Sequence, residues 1–269
     1  MYERSGRSLD FDELHIGLTG SLEPTVQVRG LFIQNAAWAA KRPLVRAGQV
    51  TLTFSWRSLS EDHVTLTRVV LVDAEVDLER QSDGLRNWRL IHPEDRGPQR
   101  TRVLSLDAQR SELRFVHGGL DLDVDTRISA LEPAQALTGH PELPLTKWLV
   151  FRGTRAGKAF SGQTAVSEVL TFLDTATPFA LRGQAQTART RLKAEGIAAD
   201  IVTLAELDLD LHLAANSLAE LQPFLPTDAL PASRPCVVEA HLNKVGAKWT
   251  GSRLRATIGH TDLFCVSPG

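Results

Sequence analysis

The feature that most constrains this chain is a period-two alternation of aliphatic and acidic residues, repeated at three separate places. Val72, Ala74, Val76 and Leu78 alternate with Asp73, Glu75, Asp77 and Glu79. Leu120, Leu122 and Val124 alternate with Asp121, Asp123 and Asp125, and Leu207, Leu209, Leu211 and Leu213 alternate with Asp208, Asp210 and His212. Successive side chains of an extended strand point to opposite faces, so each run puts its aliphatic residues on one sheet face and its acids on the other. Asp is a poor strand former and is tolerated there only where the face meets water. The expectation is an all-β protein of antiparallel strands, dry on one face and wet on the other.

The expected strands are long. Residues 63–80 read as one extended stretch with a bulge near Val69 and Val70, where the alternation slips by one. Residues 103–117 and 119–130 face each other across Gly118-Gly119, and Arg155-Ala156-Gly157-Lys158 separates 145–154 from 159–162. Further strands are expected at 9–18, 25–34, 44–56, 179–187, 190–199, 204–214, 235–243, 247–256 and 260–266. Only two segments favour helix. Thr164–Asp174 places Val166, Val169, Leu170 and Leu173 on one face, and Ser217–Leu225 opens with Ser217 and Glu220 spaced as a capping box. The chain therefore reads as a meander with about two short helices to plug or cap the sheet, without the α/β alternation of a Rossmann-like or barrel enzyme. Proline-bearing stretches at 91–102, 132–144 and 223–235 read as crossings between strand groups. No shift in composition marks a boundary, so a single domain over 1–269 is expected.

Composition excludes several classes. Hydrophobic residues make up 42% and charged residues 23%, which supports a core and argues against wholesale disorder. Lys+Arg is 30 against Asp+Glu 32, and this balance offers no basic face to nucleic acid. The longest uninterrupted apolar run, Ala36–Ala40, is five residues, too short to span a bilayer, and residues 1–20 lack the apolar core of a signal peptide. The two cysteines fall on strands separated by a middle one, which puts Cys236 and Cys265 about 10 Å apart, beyond disulfide reach. Both thiols are expected to be free.

The search for chemistry yields no catalytic constellation. The eight histidines form no His-x-His or His-x-x-x-His pair for a metal, and no Gly-x-Ser-x-Gly elbow appears. Gly153-Thr154-Arg155-Ala156-Gly157-Lys158-Ala159 resembles a phosphate loop but is one residue too short, with Ala159 where the magnesium-binding hydroxyl belongs, and reads as a hairpin turn. Asp121, Asp123 and Asp125 lack the glycine-containing loop that folds ligands around calcium and read as a solvated face. Arg152, Arg155 and Lys158 gather at one turn, where solvation is a simpler reading than contact with anionic headgroups. No enzyme, metal or cofactor is expected.

Several local motifs carry a family resemblance. Leu78-Glu79-Arg80 followed by Asp83-Gly84 and Asn87-Trp88 resembles the signature of the AsmA-like family, in which the aspartate-glycine pair turns the chain and the tryptophan is available to cover the sheet end. Gly30-Leu31-Phe32-Ile33-Gln34-Asn35 followed by Ala37-Trp38-Ala39 is similar to the family's early strand. Ser217-Leu218-Ala219-Glu220-Leu221 with Leu230-Pro231 and Pro235 resembles its late helix and proline loop, and Gly259-His260-Thr261-Asp262-Leu263 its closing strand. The resemblance covers residues 25–265. It departs from the family in lacking the usual N-terminal membrane anchor and in carrying Cys265 where a glycine is usual.

What the resemblance implies is a half-pipe groove of long antiparallel strands on the periplasmic face of the bacterial inner membrane, serving phospholipid transport and outer-membrane assembly. An apolar face with few helices to cover it fits that expectation, because uncovered aliphatic surface marks a binding site. The lipid-contacting candidates are Val72, Val76, Leu78, Leu120, Leu122, Val124, Leu207, Leu209 and Leu211, with phospholipid acyl chains as the ligand and an envelope protein as a possible partner. The alternative is a structural scaffold, its groove closed by a second sheet or partner chain, that assists outer-membrane protein assembly without carrying lipid. A carbohydrate-binding or adhesin-like module would want aromatics spaced along a strand face, whereas this chain has one Tyr and five dispersed Trp.

Overall fold

The computed structural model describes residues 7–60, 64–89, 102–131, 143–167, 178–199, 206–217, 219–220, 234–246, 248–259 and 261–265. These residues form seventeen strands and short 3-10 turns, with no α-helix among them. The protein is all-β, as the alternation requires. No helix among the described residues is long and apolar enough to cross a membrane.

By its contacts the chain divides into two compact units. The first holds Met1–Ala130 and Val169–Asp174, the second Leu131–Glu168 and Thr175–Gly269. The boundary at Ala130 falls beside the stretch 132–144. Most of that stretch, of 91–102 and of 223–235 lies outside the described residues.

Unit one contains β1 (Leu9–Asp10), β2 (Glu13–Leu18), β3 (Pro24–Ile33), β4 (Val45–Phe54), β5 (Thr65–Arg80), β6 (Arg102–Val103), β7 (Leu106–Gln109), β8 (Ser111–His117) and β9 (Leu122–Ala130). β2 to β5 form an antiparallel meander, β1 pairs with the far end of β3, and β8 and β9 form an antiparallel hairpin. One junction departs from the expected antiparallel order: β6, β7 and β8 all run parallel to β5. Alternation tells which face a residue occupies and is silent on strand direction. A parallel neighbour needs a long crossover, which the chain between Arg80 and Arg102 supplies.

The alternation of β5 breaks twice: at Thr67, beside the expected Val69 and Val70, where Arg68 and Leu66 stand opposite the adjacent Thr53 and Phe54, and again at Asp73. Leu71 and Ala74, three residues apart, belong to one apolar cluster with Val28, Leu31, Ala47 and Val50. The same three-residue step occurs from Val28 to Leu31 in β3 and from Ala47 to Val50 in β4. The register aligns Gly30, Gly48, Asp73 and Arg110 across the sheet. Gly30, Asp73 and Arg110 take left-handed φ of 63, 51 and 47. This transverse crease rotates each strand by one position, so that the dry face continues with its sequence parity inverted. Asp tolerates the left-handed region better than most residues, and here its carboxylate receives Arg110 Nε at 2.8 Å and Nη2 at 2.9 Å.

Unit two is an antiparallel meander of β10 (Leu145–Arg155), β11 (Lys158–Ser167), β12 (Pro178–Thr187), β13 (Thr190–Ala199), β14 (Glu206–Ala215), β15 (Cys236–Val245), β16 (Lys248–Ile258) and β17 (Thr261–Cys265). The resemblance to a phosphate loop resolves into the two-residue turn Ala156-Gly157, whose φ values of 47 and 71 suit a hairpin of the type I′ kind.

The helix expected at Thr164–Asp174 begins inside a strand, since Thr164, Ala165 and Val166 pair with Gly183, Arg182 and Leu181 of β12. Thr164 and Val166 are β-branched and fit a pleated surface, which overrides the weaker helical spacing. Residues 168–174 lie outside the described residues, as does most of Ser217–Leu225. Of the latter, the Ser217 hydroxyl accepts the Ala219 N–H at 3.3 Å, whereas the Glu220 N–H goes to the Ser217 carbonyl and its carboxylate accepts the Thr190 hydroxyl at 2.6 Å, so these are not the bonds of the expected capping box.

Candidate functional site

In unit one the dry face is built by register. Val76 and Leu78 of β5 stand beside Leu113 and Phe115 of β8, and Phe115 and His117 stand beside Val124 and Leu122 of β9. Across the crease the face continues through Leu71 and Val69 to Val50 and Leu52, then to Val28 and Val26, and ends at Leu14, Ile16 and Leu18 of β2. Burial falls at the end of that path. Val28 and Val50 are buried, whereas Ile16 is 79% exposed and Leu18 57%. Val76, Leu78, Leu122 and Val124 are therefore brought onto one surface.

Two sequence candidates are not. Val72 precedes the crease and falls on the opposite face, in a row between Gln49 and Gln109. Leu120 belongs to no strand. It sits exposed in the 3-10 turn Gly118–Leu120, and Asp121 takes the left-handed position (φ 46) that returns the chain into β9.

The opposite face of unit one was expected to be wet, but part of it is dry and carries a polar network. Asp77 is only 3% exposed. One carboxylate oxygen receives Arg114 Nη1 at 3.2 Å and the other Asn35 Nδ2 at 3.0 Å. Arg114 also reaches Asp123 at 2.8 Å, while Asp123 stays open to water as Asp121 and Asp125 are. Past the end of β4 the segment after β5 folds back along its edge, with Arg80 bridged to Arg86 and the Asn87 N–H donating to the Glu79 carbonyl at 3.0 Å. Asn87, fully buried, fills the gap, and its backbone carbonyl accepts a hydrogen bond from Arg7. The Asp83-Gly84 turn and Asn87 are thus structural, and Trp88 packs against Phe115 with ring centroids 6.4 Å apart.

Within this network burial holds the Glu79 carboxyl above its ordinary range. The Ala40 N–H pulls it back, and the neighbouring Asp77 pushes the same way as burial. At the crease the hydrogen bond from Arg110 holds Asp73 below its ordinary range.

In unit two Leu207, Leu209 and Leu211 do share a face. Leu207 packs with Phe179 and Ala198 in a buried cluster, to which Leu181 and Leu209 are joined. Leu211 lies between Ala194 and Ala240, and Leu213 between Leu192 and Val238. Leu207 is buried, and Leu209, Leu211 and Leu213 are half-buried.

Sequence reasoning passed over the apolar row of β2. Its signal was present, because Leu14, Ile16 and Leu18 alternate with His15 and Gly17. The row lacked only the flanking acids that drew attention to the other three runs. No family model, curated protein or solved structure matches the chain.

Proposed function

We propose that this chain is a non-enzymatic lipid-binding protein that holds acyl chains along its apolar sheet faces, as a periplasmic conduit in phospholipid transport and outer-membrane assembly of the kind the AsmA-like resemblance implies. One observation carries the reading: the dry face of unit one runs in register from half-buried Val124 across the crease, through buried Val50 and Val28, and ends uncovered at Ile16. A contiguous apolar surface of this kind marks a binding site. Each methylene buried against it contributes about 0.8 kcal/mol, so an acyl chain is a sufficient cover. Rows of Leu and Val read length and apolarity and leave headgroups undiscriminated.

The test is solvent extraction and mass measurement of lipid carried by the purified protein, paired with thermal melting. Ile16→Asp places a charge on the exposed end of the face, where water still reaches it. It should melt normally and lose lipid. Val72→Asp and Leu120→Asp, both off the face, should keep lipid. Absence of lipid from the wild-type protein, or undiminished lipid in Ile16→Asp, would overturn the conduit reading. The scaffold alternative draws support from buried Leu207. If Leu209→Asp collapses unit two while Ile16→Asp is silent in both assays, the sealed scaffold is the better account.

A further inference from the structure

We infer that unit two has a second binding site, on the face opposite Leu207, Leu209 and Leu211, and that it takes a neutral oligosaccharide. Between those leucines, Asp210 and His212 point to the other side of β14. The register aligns them with Glu195 and Lys193 of β13 on one flank and with His241 and Glu239 of β15 on the other. Continued outward to Trp148 of β10 and Arg253 of β16, this face forms the floor of an open groove of about 580 Å³. Small-molecule sites are typically about 300–1,000 Å³.

The charges of the groove decide the ligand class. Its cations Arg182, Lys193 and Arg253 are matched by the carboxylates Glu195, Asp210 and Glu239, three against three. An anionic ligand would call for a surplus of cations.

Each carboxylate is fixed through one oxygen. Asp210 Oδ1 receives His241 Nδ1 and Arg253 Nη2, both at 3.0 Å. Glu239 Oε1 lies 3.3 Å from His212 Nδ1, and Glu195 Oε1 accepts from Arg182. The second oxygen of each has no partner among the described residues and is left to accept. Beside these acceptors stand donors, the Lys193 ammonium and the Gln184 amide, at paired positions of β13 and β12. A hydroxyl both donates and accepts, so a polyol is the ligand that uses alternating fixed acceptors and open donors. Trp148, half-buried, packs against Leu145, Ala165 and Ala180 and walls one end of the groove. A peptide has less to bind here, because β11 to β15 are each paired on both sides and the groove floor has no free backbone edge for strand addition.

The experiment titrates the full chain with three neutral oligosaccharides, maltohexaose, cellohexaose and chitotetraose, and with inorganic phosphate. At least one saccharide should bind, and Glu239→Gln and Lys193→Ala, both solvent-exposed positions, should each weaken it tenfold or more with unchanged melting. Ile16→Asp, in unit one, should leave it unaltered, which separates this site from the lipid reading. No saccharide binding at millimolar concentration, variants that bind like wild type, or phosphate binding more tightly than every saccharide would each overturn the inference.

Discussion

A buried asparagine side chain has two donors and an acceptor to satisfy, and Asn87 engages both kinds. Its amide donates to the Asp77 carbonyl at 2.7 Å and to Asn35 Oδ1 at 3.0 Å, while its own side-chain carbonyl takes the Glu79 N–H at 2.8 Å. Asn87→Ala would remove all three bonds, leaving the Glu79 N–H without this acceptor while Asn35 Oδ1 keeps the Ala36 N–H, and urea unfolding should show a loss of about 1–3 kcal/mol. Arg114→Ala leaves Asp77 charged, buried and short of its cation, with an expected loss of about 3–5 kcal/mol. Arg114→Ala with Asp77→Asn should recover much of it. Glu79 sets a pH dependence of the opposite sense to most carboxylates. Its folded value lies above its unfolded one, so the contribution is full below the ordinary Glu range and is lost as pH rises through the folded value. Glu79→Gln should therefore gain on wild type in melting temperature as pH rises from about 4.5 toward neutral, the Glu reference value lying near that point. A gap that narrows with rising pH would refute this. In the sequence Asn35 and Asn87 stood out only as motif residues, and Asp77 passed for a wet acid. Alternation assigns a face, but the burial of that face depends on backbone returning from elsewhere.

The crease is the element-scale counterpart. Gly30 is confined by it, because a Cβ there would lie 1.9 Å from Asp12 Oδ2, at a φ of 63 that already disfavours side chains. At Asp73 the left-handed backbone should separate two substitutions that both remove the ion pair. Asp73→Val should cost about 1–2 kcal/mol more than Asp73→Gly, by chemical denaturation, since the penalty lies in the backbone. Equal costs would mean the strand straightens. The later strands offer a second check. Cys236 is opposite Ile258 and Cys265 opposite Leu254, so the two lie on strands flanking β16 and four positions apart along it. Both thiols should react with a thiol reagent under denaturing, non-reducing conditions, and a mass two units low would contradict this meander. Most strands were readable from alternation to within a few residues, down to the turn at Ala156-Gly157. What was not readable was the parallel course of β8 along β5 and the end of the helical pattern at Thr164, because both are decided by neighbouring strands absent from the local pattern.

At the scale of the whole chain, seven of the nine lipid candidates lie on dry faces, four in unit one and three in unit two. The two that do not, Val72 and Leu120, fail for local reasons: one sits just before a parity inversion, the other in a turn that delays the strand. Division into two units left no trace in composition, since both are built from the same alternating strands. Leu122→Asp and Leu209→Asp test the units separately, and each should diminish bound lipid in proportion to the share its own face carries. If lipid loss follows only one variant, a single unit binds lipid. The aligned crease also constrains how such a protein can change in descent. Removing one residue at Asp73 alone would throw Val76 and Leu78 to the wrong side, while β3 and β4 kept their step. Length changes along this line are tolerable only when several strands acquire them together, so homologues should either keep all the steps or lack all of them, with few intermediates between.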